Sequence, residues 1–284
     1  MSYLMAAVLG IIQGVAEFLP ISSSGHLTLF QHFFGMPETD NLFNVLLHFA
    51  TLIAVFIYYW SDIWEMIVEF FLGLRALFVP RYRSQGEPPA ARRLILLIIV
   101  ATLPLFLVLP IQDYVEQIGN YPVAVSCILL LTGAVLFLSD RMAHGHKTAR
   151  SATLKDALLI GVAQGVATLP GLSRSGSTIA AGMACGLDRK FAVRFSFLMS
   201  LPAVFGATIL KAVDVVQEGG VDLSLLPKYL LGMAFAGVVG YFSIGLVNLL
   251  TAKGKFGAFA YYCWGAGAIF LVLSLTGFTL VPAA

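Results

Sequence analysis

Charge is what this chain of 284 residues is short of. Asp, Glu, Lys and Arg make up 11% of it against 59% apolar residues, and the mean hydropathy is +0.89. Soluble domains carry about 25% charged residues, so a water-soluble globule is excluded. Disorder is excluded for the opposite reason, since there is too much apolar surface to bury. The 17 basic and 15 acidic residues leave a net charge of +2, which gives no basis for binding nucleic acid. Cysteine is scarce too. Cys127, Cys185 and Cys263 lie far apart in apolar stretches, without metal or redox spacing and without a disulfide framework, and read as small packing residues. No basic residue precedes Arg75, so the apolar N-terminus lacks the charged region of a secretory signal. The class that remains is an all-α polytopic membrane protein.

A spanning helix takes about 20 apolar residues, and six stretches predict one: 42–60, 94–112, 123–139, 191–210, 229–250 and 256–280. Residues 3–35 and 153–186 are also apolar, but the strings PISSSGH and PGLSRSGST interrupt them midway. Non-helical backbone at membrane depth survives only when buried in protein or lining a wet cavity, so each region reads as a re-entrant pair of half-helices. Segment 62–79 carries Asp62, Glu65 and Glu69 along one helical side and is expected to lie along the interface or extend the preceding span. With six spans, 14 of the 17 basic residues, from Arg75 to Lys255, share one side. Lys211 and Lys228 lie on the other with Glu38, Asp40, Asp113, Glu116, Asp214, Glu218 and Asp222. The positive-inside rule makes the basic side cytoplasmic and puts both termini outside. Pro104 and Pro202 are expected to kink their spans.

The two interrupted regions resemble each other. Gly10-Ile-Ile-Gln13-Gly-Val-Ala-Glu17-Phe-Leu-Pro20-Ile-Ser22-Ser-Ser24-Gly25 aligns with Gly161-Val-Ala-Gln164-Gly-Val-Ala-Thr168-Leu-Pro170-Gly-Leu-Ser173-Arg-Ser175-Gly176, offset by 151 at both ends. The chain then reads as a single membrane domain over residues 1–284, built from a repeat at 1–140 (re-entrant pair 3–35) and a repeat at 152–284 (re-entrant pair 153–186). Three spans follow each pair, and an odd number inverts the second unit. Inverted repeats with broken helices place their polar site near the midplane, where the units meet.

Gln13 and Glu17 are four residues apart and share a helical face. An ionisable residue at that depth is a functional candidate by default; the structural alternative is a Glu hydrogen-bonded in place. Ser22, Ser23 and Ser24 precede Gly25 and His26, and one serine can cap the following helix, but capping does not account for three serines beside a histidine. A serine near a base can be a nucleophile. In the second string, Ser173, Arg174, Ser175, Ser177 and Thr178 lie between Gly171 and Gly176. Arginine, hydroxyls and a helix start all suit phosphate oxygens, and the glycines permit close approach. An Arg174–Glu17 structural ion pair is the plainer reading, but it leaves the hydroxyls without a role. Together the two strings predict a phosphate site. A divalent cation, Mg²⁺ or Ca²⁺, would sit on Glu17 and Gln13 plus phosphate oxygens, and the substrate would be a lipid phosphate or diphosphate. His48 reads as a hydrogen-bonded core histidine and His32 as structural, while His144 and His146 belong to a solvated basic loop.

At these residues the chain resembles the undecaprenyl-diphosphate phosphatase family of the bacitracin-resistance type. The resemblance rests on Gln13-Gly-Val-Ala-Glu17-Phe-Leu-Pro20-Ile-Ser22-Ser23-Ser24-Gly25-His26, on Pro170-Gly171-Leu172-Ser173-Arg174-Ser175-Gly176-Ser177-Thr178 and on Phe195-Ser196-Phe197-Leu198. Many members have Glu where Gln13 stands, so this chain has one carboxylate fewer. The resemblance implies hydrolysis of the terminal phosphate of undecaprenyl diphosphate in the bacterial plasma membrane, recycling the cell-wall carrier lipid and conferring bacitracin resistance, with a divalent cation. It implies Glu17 on the metal or positioning the attack, Ser23 as nucleophile and His26 as acid/base. Arg174, with Ser173, Ser175 and Thr178, would hold the diphosphate. Ser22, Ser24, Gly25, Gly171 and Gly176 are read into the same phosphate site, which is expected to be reached from the outer side. The expected partners are the polyprenyl diphosphate and the membrane, with room for a homodimer and none for nucleic acid. A second lipid-phosphatase class shares the short strings SGH and SR but needs a His six residues after Arg174, which is missing. The rival from another class is a lipid-phosphate transporter or flippase, which needs the anion site but no nucleophile, base or metal.

Overall fold

The computed structural model describes residues 1–34, 41–78, 88–142, 145–217 and 223–277. The expectations for Glu38, Asp40, Arg81, Arg83, His144, Glu218 and Asp222 fall outside them. Among the described residues the regular structure is helical, apart from one isolated bridge between Lys147 and Leu187.

Five stretches are long and apolar enough to cross a membrane: Ala90–Asn120, Pro122–Arg141, Arg189–Leu210, Leu226–Ala252 and Ala258–Thr276. α3 (Asn41–Tyr58) turns by 81° into α4 (Trp60–Phe78), and that bent pair, counted as one broken span, makes a sixth. These are the six spans the hydropathy predicts, and the chain is a polytopic membrane protein. The bend explains the mixed character of 62–79. Asp62 accepts from Arg194 at 2.6 Å and Glu69 from Arg92 at 2.9 Å, so the acidic side of α4 faces cations. Its other side leaves Trp60, Trp64, Phe70 and Phe71 exposed. The span from Ala90 starts as α5 (Ala90–Thr102) and passes through 3₁₀ turns at Leu103–Leu107 and Leu109–Ile111 into α6 (Gln112–Gln117). Pro104 and Pro110 lie in those turns, where a missing N–H ends α-helical bonding. Pro202, by contrast, lies inside the continuous helix α10 (Arg189–Gln217).

Among the described residues, four helices outside those spans are too short to cross a hydrocarbon core of about 30 Å: α1 (Tyr3–Ala16), α2 (Ser23–Phe34), α8 (Leu154–Val166) and α9 (Arg174–Ala184). At 1.5 Å per residue, none exceeds about 21 Å. They pack against α3, α5, α7 (Pro122–Met142), α10 and α11 (Leu226–Ala252), and Phe30 and Phe33 of α2 meet Phe270 of α12 (Ala258–Thr276). Lipid gives helices no hydrophobic reason to associate, so small residues that allow close backbone approach carry the packing. A Cβ on Gly10 of α1 would lie 2.3 Å from the Gly232 carbonyl oxygen of α11, and one on Gly161 of α8 2.3 Å from the Ala101 carbonyl oxygen of α5. The same position of the two motifs thus makes the same approach to a different span.

Basic residues tie several helices together through local contacts. Arg93 donates to the Ala152 carbonyl at 2.8 Å, Lys147 pairs with Asp156 at 2.9 Å and Arg189 pairs with Asp140. Asp156 also closes a capping box with Thr153 at the start of α8, fixing that helix to its loop.

Candidate functional site

Each short-helix pair turns through the polar string between its members. Ser22, which has a left-handed φ of 69°, and Ser173 precede α2 and α9. The Oγ of each accepts from a backbone N–H three residues on, Gly25 at 3.2 Å and Gly176 at 3.1 Å. These two serines are therefore helix caps. The turns also touch each other. A Cβ on Gly25 would lie 2.8 Å from Gly171 Cα, and one on Gly176 3.1 Å from Pro20 Cβ. Thr132 of α7 pins the second turn: its hydroxyl donates to the Gly171 carbonyl at 2.9 Å and lies 3.3 Å from Ser173 N.

Glu17, just past the end of α1, is the centre of the cluster. Its carboxylate is buried, with 5% side-chain exposure. Oε1 pairs with the Arg174 guanidinium from α9. Oε2 accepts from the Ser23 hydroxyl at 2.9 Å and from Gln13 Nε2 at 3.1 Å. Gln13 Nε2 also lies 3.1 Å from His48 Nδ1, which is 3.5 Å from Glu17. An amide nitrogen has two hydrogens, so Gln13 bridges carboxylate and imidazole. That arrangement leaves Gln13 Oε1 a buried acceptor without a partner.

The remaining expected residues divide. Ser175 lines the recess next to Glu17 and Arg174. Ser24 is exposed, 3.4 Å from Ser22 Oγ. Thr178 is spent elsewhere, donating to the Arg174 carbonyl at 2.9 Å and lying 2.6 Å from Ser196 Oγ. His26 is buried, with Nδ1 2.9 Å from the Ser22 carbonyl and Nε2 2.9 Å from the Tyr262 hydroxyl, its ring stacked on Tyr262. A carbonyl only accepts, so Nδ1 carries the hydrogen; in the neutral ring Nε2 then accepts from Tyr262. Both nitrogens are engaged, neither with Ser23 nor with Glu17.

Sequence reasoning gave four residues here no part in the site, although one of them, Ser196, lies in a string that carries the resemblance. His48, read as a core histidine, is 40% exposed at the side chain and adjoins Gln13 and Glu17. Thr51, Ser196 and Ser200 line the recess beside Glu17 and Arg174. The signal was available: His48 and Thr51 are three apart, Ser196 and Ser200 four apart, and each pair shares a face of an apolar span. Tyr262, which nothing in the apolar run around it marks out, is the partner of His26. Cys263 packs as expected, but Cys127 is exposed.

A divalent cation has a narrow set of donors here. Among the described residues no three His, Cys, Asp or Glu side chains gather as a metal site. Glu17 and the unpartnered Gln13 Oε1 nevertheless fit a cation that takes its other ligands from phosphate oxygens and water.

Fold and site together define a polytopic membrane protein with a buried ion pair and hydroxyl groups where two broken helix pairs meet. Residues 6–269 match the family described as bacitracin resistance protein BacA, and the chain belongs to that family. It is 39% identical over 275 residues to the undecaprenyl-diphosphatase of Methanosphaera stadtmanae, covering 96% of this chain and 98% of that one. It is 40% identical to the undecaprenyl-diphosphatases of Syntrophotalea carbinolica, over 277 residues (96% and 100%), and Desulfosudis oleivorans, over 280 residues (97% and 100%).

Proposed function

We propose that the protein hydrolyses the terminal phosphate of undecaprenyl diphosphate, giving undecaprenyl phosphate and inorganic phosphate, and so recycles the cell-wall carrier lipid and confers bacitracin resistance. Its family and the names of its relatives support this reading. The observation that carries it is the Ser23 hydroxyl 2.9 Å from the carboxylate that Arg174 also engages. A nucleophile, a proton acceptor and a phosphate-binding cation then occupy one buried spot.

In the proposed reaction Ser23 Oγ attacks the terminal phosphorus and its proton passes to Glu17. The bond from phosphorus to the bridging oxygen breaks, and undecaprenyl phosphate leaves. Water then cleaves the phosphoserine, releasing phosphate. Direct attack by water is the alternative, and only that route leaves Ser23→Ala with full turnover. Arg174 and Ser175 hold phosphate oxygens, with Ser22, Ser173, Gly25, Gly171 and Gly176 shaping the helix starts that point at them. Ser24 adds a hydroxyl at the rim, and Thr178 fixes the first turn of α9. His26 holds the Ser22 turn, so acid–base work falls to Glu17. A Mg²⁺ or Ca²⁺ ion held by Glu17 and Gln13 would supply charge neutralisation for the diphosphate oxygens.

The site belongs to an inverted-repeat membrane domain in the plasma membrane, with repeats at 1–140 and 152–284, re-entrant pairs at 3–35 and 153–186, basic loops cytoplasmic, both termini outside and access from the outer side. The matched approaches of Gly10 and Gly161 support the repeat, and the clustering of Arg93, Lys147 and Arg189 supports the orientation.

Purified protein supplied with undecaprenyl diphosphate should release phosphate, and EDTA should stop it. A folded protein that binds the lipid but releases none would mean a carrier in place of an enzyme.

A further inference from the structure

The recess holding Glu17 and Arg174 does not end in polar residues. It has a cavity volume of about 10 Å³, room for roughly one water, and runs between α3 and α10, past Thr51, Ser196 and Ser200 to Leu52. Leu52 also lines a second hollow of about 320 Å³ between the same two helices. That hollow is apolar throughout: Phe49, Leu52, Ile53 and Phe56 from α3 face Leu201 and Phe205 from α10. The four α3 residues follow i, i+3, i+4, i+7 spacing and form one stripe of the helix. Phe49, Ile53, Phe56 and Phe205 are each more than a third exposed, so the hollow opens sideways from the bundle.

We infer that this groove between α3 and α10 takes the first isoprene units of the lipid substrate. The inference rests on the phosphatase reading, which places the diphosphate at Glu17 and Arg174. An amphiphile with its diphosphate in the polar recess must lead its tail out over apolar side chains, because passage over charge or free backbone is costly in a membrane. The groove adjoins the recess at Leu52 and contains no ionisable residue, so the tail leaves without crossing one. Two turns of α3, from Phe49 to Phe56, extend about 10 Å along the helix axis. The groove therefore grips the head-proximal part of the chain, and the rest lies in the bilayer.

A photo-crosslinking phenylalanine at Phe49, at Phe205 or, as control, at the lipid-facing Phe242 of α11 (70% exposed) tests this in the full-length protein incubated with undecaprenyl diphosphate. Lipid adducts at positions 49 and 205, reduced by excess unlabelled lipid and lacking at 242, are expected. Equal adducts at 242, or none at 205 while the protein still hydrolyses the lipid, would overturn the groove and leave the phosphatase reading standing. Adducts at 205 without any phosphate release would keep the groove and overturn the phosphatase reading. As a second arm, Ile53→Trp narrows the groove and should raise KM for undecaprenyl diphosphate about tenfold with kcat largely kept. An unchanged KM would count against the groove. Phe242→Trp should leave KM unchanged.

Discussion

Ser23 and Arg174 stand at the same position of two motifs 151 residues apart, and both reach the carboxylate of Glu17, one at each oxygen. The first motif supplies a hydroxyl where the second supplies a guanidinium. A single carboxylate thus joins the two halves of the chain, and Thr168 stands where a second carboxylate would be.

That junction predicts opposite effects on stability and activity. Glu17→Gln leaves the Arg174 charge unpaired and should cost about 3 kcal/mol, read as a lower melting temperature in detergent. Adding Arg174→Met should restore most of that stability, because an apolar replacement for a buried pair is often near neutral. Phosphate release should stay lost in both variants.

Tyr262→Phe keeps the ring stacked on His26 but removes the hydroxyl from Nε2. A buried acceptor left unpaired costs about 1–3 kcal/mol. The expected result is a lower melting temperature together with a loss of kcat of about tenfold, since the Ser22 turn would lose its support. Activity and melting temperature equal to wild type would remove His26–Tyr262 from the account.

Gly10→Ala and Gly161→Ala should each destabilise by about 1–3 kcal/mol, because each Cβ would collide with a carbonyl oxygen. Gly206 and Gly265 have nothing within 4 Å of where a Cβ would stand. Alanine at those helical positions should be neutral or stabilising by up to about 1 kcal/mol. Melting temperatures of the four variants check both statements.

Gln13→Glu adds a second carboxylate beside Glu17. The concentration of Mg²⁺ or Ca²⁺ that restores half of the EDTA-stripped activity should fall several-fold, as measured by metal titration of phosphate release. A rise would mean that added negative charge disturbs the site more than it helps hold a cation.

Much of this was legible in the sequence. The six spans follow from uninterrupted apolar runs, and the two short-helix pairs from the polar strings that break theirs. The meeting of Glu17 with Arg174 was suggested by the similarity of those strings, and the two turns do touch, at Gly25 with Gly171 and Gly176 with Pro20. The rest needed distances across the fold. His26 meets Tyr262 across 236 positions, and nothing local in either sequence marks the pair. His48 looked like any histidine in an apolar span until α3 placed it beside Gln13. Thr178 had the right chemistry for phosphate, yet a hydroxyl in a helix can bond the carbonyl four residues back, and here it does. The left-handed backbone of Ser22 was equally hidden, since its residue type does not ask for that conformation.

The central claim is that Glu17, Ser23 and Arg174 act together on a lipid diphosphate. It is tested most directly by phosphate release from undecaprenyl diphosphate by Glu17→Ala, Ser23→Ala and Arg174→Ala, each first shown to be folded by its melting curve. The account predicts a loss of about 10²-fold or more in each. Release within twofold of wild type in all three would place the chemistry elsewhere.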